Sequence, residues 1–209
     1  MLKPDSLILD VDGTLWDSTS IIADAWNEIV DARDDIPVHF TAYQLSQLFG
    51  RPLSAIADII FPFLEEKERY ALMDTCCERE HERLHENNKD ILYPGVADTI
   101  RELSKNHKIF IVSNCQAGYI ELFLEKTGLA PYVTDFECPG NTGLGKGANI
   151  RLIIERNHLN HPIYVGDIKG DQLASSEAGI PFCHASYGFG KVEEADYTIE
   201  HFSDLLTIF

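Results

Sequence analysis

The sequence is poor in basic residues and has no long apolar run. Its 17 Lys and Arg residues stand against 34 Asp and Glu residues, which gives a formal net charge of -17. A surface of this sign repels nucleic acids and anionic membranes, so we expect neither as a partner. No apolar stretch approaches the roughly 20 residues that a membrane span requires. The balance of 44% apolar and 24% charged residues is ordinary for a globular protein.

The cysteines show no pairing pattern. There are five, an odd number, and no two of them form a Cys-x-x-Cys pair. This usage is typical of free thiols in a reducing compartment, so we expect a cytoplasmic protein without a signal peptide. The five positions are Cys76, Cys77, Cys115, Cys138 and Cys183.

After Tyr93-Pro94-Gly95 the sequence alternates between helical and strand patterns. Alternation of this kind predicts an α/β fold with a parallel sheet and helices on both faces. The predicted strands are 6–11, 108–112, 133–138, 163–165 and 180–183, and the predicted helices are 96–105, 116–127, 146–158 and 172–177.

Residues 16–92 have no convincing strand pattern. Helices are predicted at 19–32, with Ser18 as N-cap, and near 41–48, 53–60 and 65–86. This segment is interpreted as an all-helical insertion after the first strand, placed over the sheet edge as a lid. The predicted division is therefore an α/β core domain of residues 1–15 and 93–209, and a helical domain of residues 16–92.

Four polar segments follow breaks in the apolar pattern. A parallel sheet would bring all four to the edge where its strands end, which is where ligands bind in open α/β sheets. They are Asp10-Val11-Asp12-Gly13-Thr14, Ser113-Asn114, Lys146 within Gly-Leu-Gly-Lys-Gly, and Gly166-Asp167 with Asp171.

The chemistry of these residue types is complementary. Asp10, Asp12 and Asp167 supply the hard oxygen ligands that Mg²⁺ prefers. Ser113 and Lys146, with nearby backbone N–H groups, suit the oxygens of a phosphoryl group. One carboxylate can attack phosphorus, and a second can act as general acid and base.

In this order and spacing, the four segments resemble the motifs of the haloacid dehalogenase superfamily. The resemblance spans the chain, and the helical insertion is similar to the helical cap of its phosphoglycolate phosphatase-like and β-phosphoglucomutase-like branch. It implies a Rossmann-like core with an inserted cap, Asp10 as nucleophile and Asp12 as general acid/base. It also implies a Mg²⁺ site formed by the Asp10 carboxylate, the Asp12 backbone carbonyl, Asp167 and Asp171. Val11, Ser113, Asn114 and Lys146 would join Asp10 around the phosphoryl group.

The presence of Asp12 favours phosphoryl transfer over dehalogenation, because the dehalogenases of this superfamily lack an acid two residues after the nucleophile. The expected activity is a Mg²⁺-dependent phosphatase that acts on a small phosphorylated metabolite, as a monomer or a homodimer. A phosphomutase built on the same core is the alternative. Arg51, in Gly50-Arg51-Pro52, either reads the substrate from a cap loop or belongs to an ordinary exposed turn.

Three motifs suggest other functions. His81-Glu82-Arg83-Leu84-His85 matches the zinc protease pattern His-Glu-x-x-His, but the charged neighbours, Glu80 among them, indicate a solvated helix face and a coincidence. The glycine-rich segment before Lys146 approaches a P-loop, but Gly147 stands where Ser or Thr is needed. A non-catalytic phospho-receiver would share the acids and the lysine, and the large helical insertion argues against it.

Overall fold

The computed structural model describes residues 3–209, and its centre is a six-stranded sheet in which all paired strands are parallel. The order across the sheet is β3-β2-β1-β4-β5-β6. The strands are β1 (Ser6–Leu9), β2 (Lys108–Val112), β3 (Asp135–Glu137), β4 (Pro162–Gly166), β5 (Phe182–Ala185) and β6 (Tyr197–Ile199).

The helices fall into two groups along the chain. Four of them lie between β1 and β2 without any strand among them: α1 (Thr19–Val30), α2 (Ala42–Ser46), α3 (Leu53–Ile60) and α4 (Glu66–Glu86). The others are α5 (Val96–Leu103), α6 (Tyr119–Thr127), α7 (Pro139–Thr142), α8 (Lys146–Asn157), α9 (Lys169–Ala178) and α10 (Leu205–Ile208).

The central strand β1 is buried on both faces, as its uninterrupted apolar run requires. Successive side chains point to opposite faces of a sheet. Ile8 therefore packs in a cluster with residues of α8 and α9. Leu7 and Leu9 pack in a larger cluster that continues into the helices between β1 and β2. The α/β fold with helices on both sheet faces is confirmed.

The chain enters the helical segment and leaves it through two stretches of backbone that are hydrogen-bonded to each other. The Asp17 N–H donates to the Ile91 carbonyl at 2.9 Å, and the Tyr93 N–H donates to the Leu15 carbonyl at 2.9 Å. These two hydrogen-bonded stretches lie at the two predicted domain boundaries, between residues 15 and 16 and between residues 92 and 93. The division into two domains itself stays a prediction.

Several predicted elements differ from the structure at the C-terminal end. The strand predicted at 180–183 is displaced to Phe182–Ala185, because Ile180 still closes the end of α9 through its N–H bond to Ser175. The sequence pattern predicts neither β6 nor the short helices α7 and α10. All five cysteines are free and buried. Within residues 3–209 no helix has both the length and the apolar character needed to cross a bilayer.

Candidate active site

Three neighbouring strands end in the polar residues that the motifs singled out. Asp10 follows β1, Ser113 follows β2 and Asp167 follows β4, and β1 lies between the other two. All three side chains are buried. The parallel topology thus places residues that are more than 50 positions apart in the chain at one edge of the sheet.

Lys146 is the cation of this edge. It begins α8, and its ammonium Nζ lies 3.0 Å from Asp10 Oδ2 and 2.6 Å from Asp171 Oδ1. Burial alone would lower the pKa of Lys146, but the attraction of the Asp10 and Asp171 carboxylates is stronger and holds this pKa well above its usual range. With only 5% of the residue exposed, this ammonium is a fixed positive charge.

Asp10 combines a paired oxygen with an unpaired one. Oδ2 contacts Lys146, whereas the buried Oδ1 has no hydrogen-bond partner among residues 3–209. Burial raises the pKa of Asp10 to about 7, and repulsion by Asp171 acts in the same direction. The Lys146 charge and the Ser113 hydroxyl lower this pKa but do not cancel the effect of burial. An orphaned buried carboxylate oxygen is costly, and it indicates a ligand at this position.

The other two acids are held by the loops around them. Asp171 Oδ2 accepts the backbone N–H groups of Asp167 and Ile168 at 3.0 and 3.1 Å, which fixes the turn after β4. Asp167 Oδ1 accepts the Thr14 hydroxyl at 3.3 Å, and its Oδ2 accepts the Phe189 N–H at 2.7 Å. Burial, then repulsion by Asp171 and Asp10, raises the pKa of Asp167 well above its usual range.

Asp10, Asp167 and Asp171 form a cluster that suits a divalent metal ion. One carboxylate oxygen from each lies within 4.8 Å of the others. Three buried carboxylates facing one lysine leave an excess of negative charge. Hard carboxylate oxygens are the ligands of ions such as Mg²⁺. The Asp12 carboxylate is not in this cluster, and a metal contact through the Asp12 backbone carbonyl stays a prediction.

Gly13 allows the first loop to approach Asp167. Its φ of +81° is the left-handed conformation that glycine adopts readily. A Cβ placed there would lie 2.2 Å from Asp167 Oδ2, so a side chain would displace the carboxylate.

Gly13→Ala is expected to lower the free energy of unfolding by about 2–4 kcal/mol, from backbone strain and from overpacking against Asp167. Gly128 is a matched control, because its φ is +66° and an added Cβ would meet nothing within 4 Å. Gly128→Ala should therefore cost only the strain, about 1 kcal/mol. Urea unfolding of both variants measures the difference, and equal losses would refute the clash.

The Asp12 carboxyl is oriented by three donors on a single oxygen. Oδ1 accepts the Trp16 indole N–H at 2.8 Å, the Ser18 hydroxyl at 2.5 Å and the Tyr119 hydroxyl at 2.8 Å. Burial raises the pKa of Asp12, against the lowering effects of these three bonds. Ser18 occupies the predicted N-cap position of α1, but its side chain makes no cap hydrogen bond, because its hydroxyl donates to Asp12. Asp17 takes the capping role and accepts the Thr19 N–H at 3.0 Å.

The predicted phosphoryl-binding residues surround Asp10. Ser113 lies beside the Asp10 carboxylate, and the Val11 carbonyl accepts the N–H groups of Thr14 and Leu15, which turns the chain after β1. The Asn114 amide donates to the Gly50 carbonyl at 2.8 Å, and its buried Oδ1 has no partner in the described chain. Their binding roles stay predictions.

The Gly50-Arg51-Pro52 loop reaches the sheet edge. Gly50 has a φ of +81°, and an added Cβ would lie 2.3 Å from Ile168 Cδ1. Arg51 is exposed and lines a cleft of about 500 Å³ together with Asn114 and Lys146. Among residues 3–209 no side chain pairs with its guanidinium. Arg51 is therefore a free cation at the mouth of the site, and its contact with a substrate stays a prediction.

Glu80 corrects the interpretation of α4 as a solvated face. It is only 3% exposed, and it accepts the Trp26 indole N–H at 2.8 Å and the Gln116 amide at 2.6 Å. Burial raises the pKa of Glu80 to about 8, against the effects of these two bonds. The sequence did contain a signal, since Leu72, Cys76, Glu80 and Leu84 repeat every four residues along the buried stripe of α4.

The zinc protease motif does not assemble a metal site. His85 is exposed, and Glu82 pairs with Arg79 at the surface. In the described part of the chain, three potential metal ligands converge at Asp10, Asp167 and Asp171, and the residues of the His-Glu-x-x-His motif are not among them. The lysine of the near P-loop, Lys146, lies in this acidic cluster.

Comparisons with known proteins agree with this geometry. The model of the haloacid dehalogenase-like hydrolase family matches residues 7–185. A phosphoglycolate phosphatase of Agrobacterium fabrum is 28% identical over 95% of this chain and 89% of its own. The fold is shared with a predicted phosphoglycolate phosphatase of Haemophilus somnus (TM-score 0.86, 19% identity, covering 100% of this chain and 99% of that one). It is also shared with a haloacid dehalogenase-like hydrolase of Streptococcus pneumoniae (TM-score 0.85, 20% identity, 99% and 98%). The chain belongs to the haloacid dehalogenase-like hydrolase family.

Proposed function

We propose that this protein is a Mg²⁺-dependent phosphatase that hydrolyses a small phosphorylated metabolite through a phosphoaspartyl intermediate on Asp10. The observation that carries the proposal is the asymmetry of Asp10: Lys146 holds Oδ2, and Oδ1 is buried without a partner. Membership of a hydrolase family and the phosphatase names of its relatives support catalysis over a non-catalytic receiver role.

In the first step, Asp10 Oδ1 attacks phosphorus and the bond from phosphorus to the leaving oxygen breaks. Asp12 donates a proton to that oxygen, so the leaving group departs as an alcohol. Three hydrogen bonds to Asp12 Oδ1 hold the carboxyl in one orientation, which leaves its other oxygen for this transfer. Lys146 and Ser113 compensate the charge on the phosphoryl oxygens.

In the second step, water attacks the phosphorus of the aspartyl phosphate and gives its proton to Asp12. The bond between Asp10 and phosphorus breaks, which releases phosphate and restores both carboxyl groups. Asp10, Asp167 and Asp171 would hold the Mg²⁺ ion, and the Asp12 carbonyl would be a further ligand. When bound, this ion supplies positive charge that offsets the carboxylates and the phosphoryl oxygens.

With Mg²⁺ present, the purified protein is expected to release inorganic phosphate from one or more phosphorylated metabolites in a broad panel. Removing divalent ions with EDTA should reduce the rate by at least about 10³-fold, and excess Mg²⁺ should restore it, because the acidic cluster then lacks its compensating charge. Colorimetric phosphate detection measures both. Full activity in EDTA would exclude the metal role, and isomerised sugar phosphate without free phosphate would identify a mutase.

A further inference from the structure

A small cavity adjoins Asp12, and its size admits water but no substrate. It lies between helices α1, α3 and α4 on one side and the loop after β2 on the other. Its volume is about 30 Å³. A water molecule needs roughly 10–15 Å³ of such space, so the cavity takes about two of them. The substrate itself must therefore lie in the wider cleft of about 500 Å³ that Lys146 lines.

The cavity and the cleft divide the reacting groups between them. Asp12 lines the cavity and not the cleft, whereas Lys146 lines the cleft and not the cavity. The two spaces adjoin each other at the residues that line both, which are Phe49, Gly50 and Asn114. In the proposed function, on which this inference rests, the attacking water gives a proton to Asp12. That water must therefore lie within hydrogen-bond reach of the Asp12 carboxyl group.

The attacking water and the leaving oxygen use the same side of the phosphorus in turn. Phosphoryl transfer places the attacking and the leaving oxygens roughly in line. In the first step Asp10 attacks from one side, and the leaving oxygen departs on the other. In the second step the bond to Asp10 breaks, so water attacks from the side that the leaving oxygen has left. The water must therefore reach the position beside Asp12 that the alcohol has vacated.

The residues that line the cavity carry three acceptor oxygens without a donor in the described chain. The three hydrogen bonds to Asp12 are all made to Oδ1, which leaves Oδ2 without a partner. Asn114 Oδ1 is buried and has none. Gln116 uses its amide nitrogen on Glu80, and its amide oxygen has no partner. Acceptors of this kind favour water, because water donates two hydrogen bonds.

Gln116 is held in one orientation by a buried anchor. Its amide nitrogen donates to Glu80 Oε1 at 2.6 Å, and the Trp26 indole N–H donates to Glu80 Oε2 at 2.8 Å. Glu80 is only 3% exposed, so these hydrogen bonds are shielded from solvent. The amide oxygen of Gln116 is therefore preorganised as an acceptor at the cavity wall.

We propose that this cavity holds the water that hydrolyses the phosphoaspartyl intermediate, and that Gln116 positions that water. One O–H of the water faces Asp12 Oδ2, which takes the proton as the new bond to phosphorus forms and the bond from phosphorus to Asp10 breaks. The other O–H is donated to the amide oxygen of Gln116. Water is then present beside the intermediate when the alcohol departs, which favours hydrolysis over phosphoryl transfer to a second hydroxyl group.

Gln116→Leu tests this role with p-nitrophenyl phosphate as substrate. p-Nitrophenol is released when the intermediate forms, so a burst reports formation and the steady rate reports hydrolysis. The variant should show a stoichiometric burst and a kcat lower by at least about 10-fold, with kcat/KM within about 3-fold of wild type. Stopped-flow absorbance measures the burst, and acid quenching measures the phosphoprotein.

An alkyl phosphate from the substrate panel shows whether Asp12 is disturbed. Its alcohol is a poor leaving group that needs the proton from Asp12, so its kcat/KM should also stay within about 3-fold of wild type in Gln116→Leu. Gln47→Leu is the matched control, because Gln47 is exposed and lines the wide cleft but not the cavity. It should keep the kcat and the burst amplitude of wild type.

The results separate this inference from the proposed function. A Gln116→Leu protein without a burst, or with kcat lowered by less than about 10-fold, would overturn the positioning of water by Gln116. Equal losses of kcat and kcat/KM would indicate a structural role and would overturn it as well. In each case phosphate release by the wild-type protein would leave the phosphatase function standing. A wild-type protein that forms neither phosphate nor phosphoprotein from any ester would overturn both.

Discussion

Asp10→Asn is expected to abolish phosphate release, with kcat lower by at least about 10⁴-fold, because an amide oxygen is a poor nucleophile towards phosphorus. The fold should survive the substitution. Lys146 keeps its 2.6 Å contact with Asp171, and one of three crowded acids becomes neutral. Phosphate release under Mg²⁺, with the melting temperature measured in parallel, separates loss of chemistry from loss of structure.

Asp34→Asn provides the control for this variant, since Asp34 is exposed and lies in the loop between α1 and α2. It should keep wild-type activity. If Asp10→Asn also retained substantial turnover, Asp10 would not be the nucleophile, and the phosphoaspartyl mechanism would have to be abandoned.

Lys146→Ala is expected to have the second largest effect, and it acts on both activity and stability. The rate should fall by at least about 10²-fold, the cost of removing one preorganised charge that stabilises a transition state. The free energy of unfolding should fall by about 3–5 kcal/mol, because buried carboxylates lose their paired cation. Steady-state kinetics and urea unfolding measure the two effects.

Two further variants separate charge from packing. Lys146→Met fills most of the lost volume, so a similar loss in this variant assigns the effect to the ammonium group. Lys105→Ala removes an exposed lysine that pairs with Glu102, and it should change stability by no more than about 1 kcal/mol. A rate within a few-fold of wild type in Lys146→Met would contradict the proposed role of the charge.

The fold and the positions of the motifs could be predicted because they depend on local patterns. The apolar run before Asp10 predicts a buried strand, and β1 is that strand. α3 has the predicted bounds of residues 53 and 60, since Pro52 precedes an amphipathic run that breaks at Phe61-Pro62. Alternating helices and strands then require the parallel sheet, and the sheet brings the strand ends together.

The partners of the site residues could not be predicted, because they are distant in sequence. The Tyr119 hydroxyl reaches Asp12 across 107 positions, and Gln116 reaches Glu80 across 36. Ser18 stands at the N-cap position of α1, but its position in the sequence does not show that its hydroxyl donates to Asp12 and not to a group of the helix. β6 has three residues at the sheet edge, too few for a periodic signal, and its position depends on pairing with β5.

The central place of β1 has a consequence for how the chain folds. Ser6 pairs with Lys108 on one side and with Pro162 on the other, so during synthesis β1 waits for partners made more than 100 residues later. Contacts of such long range are associated with slow folding. Until β2 and β4 arrive, both edges of β1 are open to pairing with other chains. The strand that leads into Asp10 is therefore open to misassembly while the chain is being synthesised.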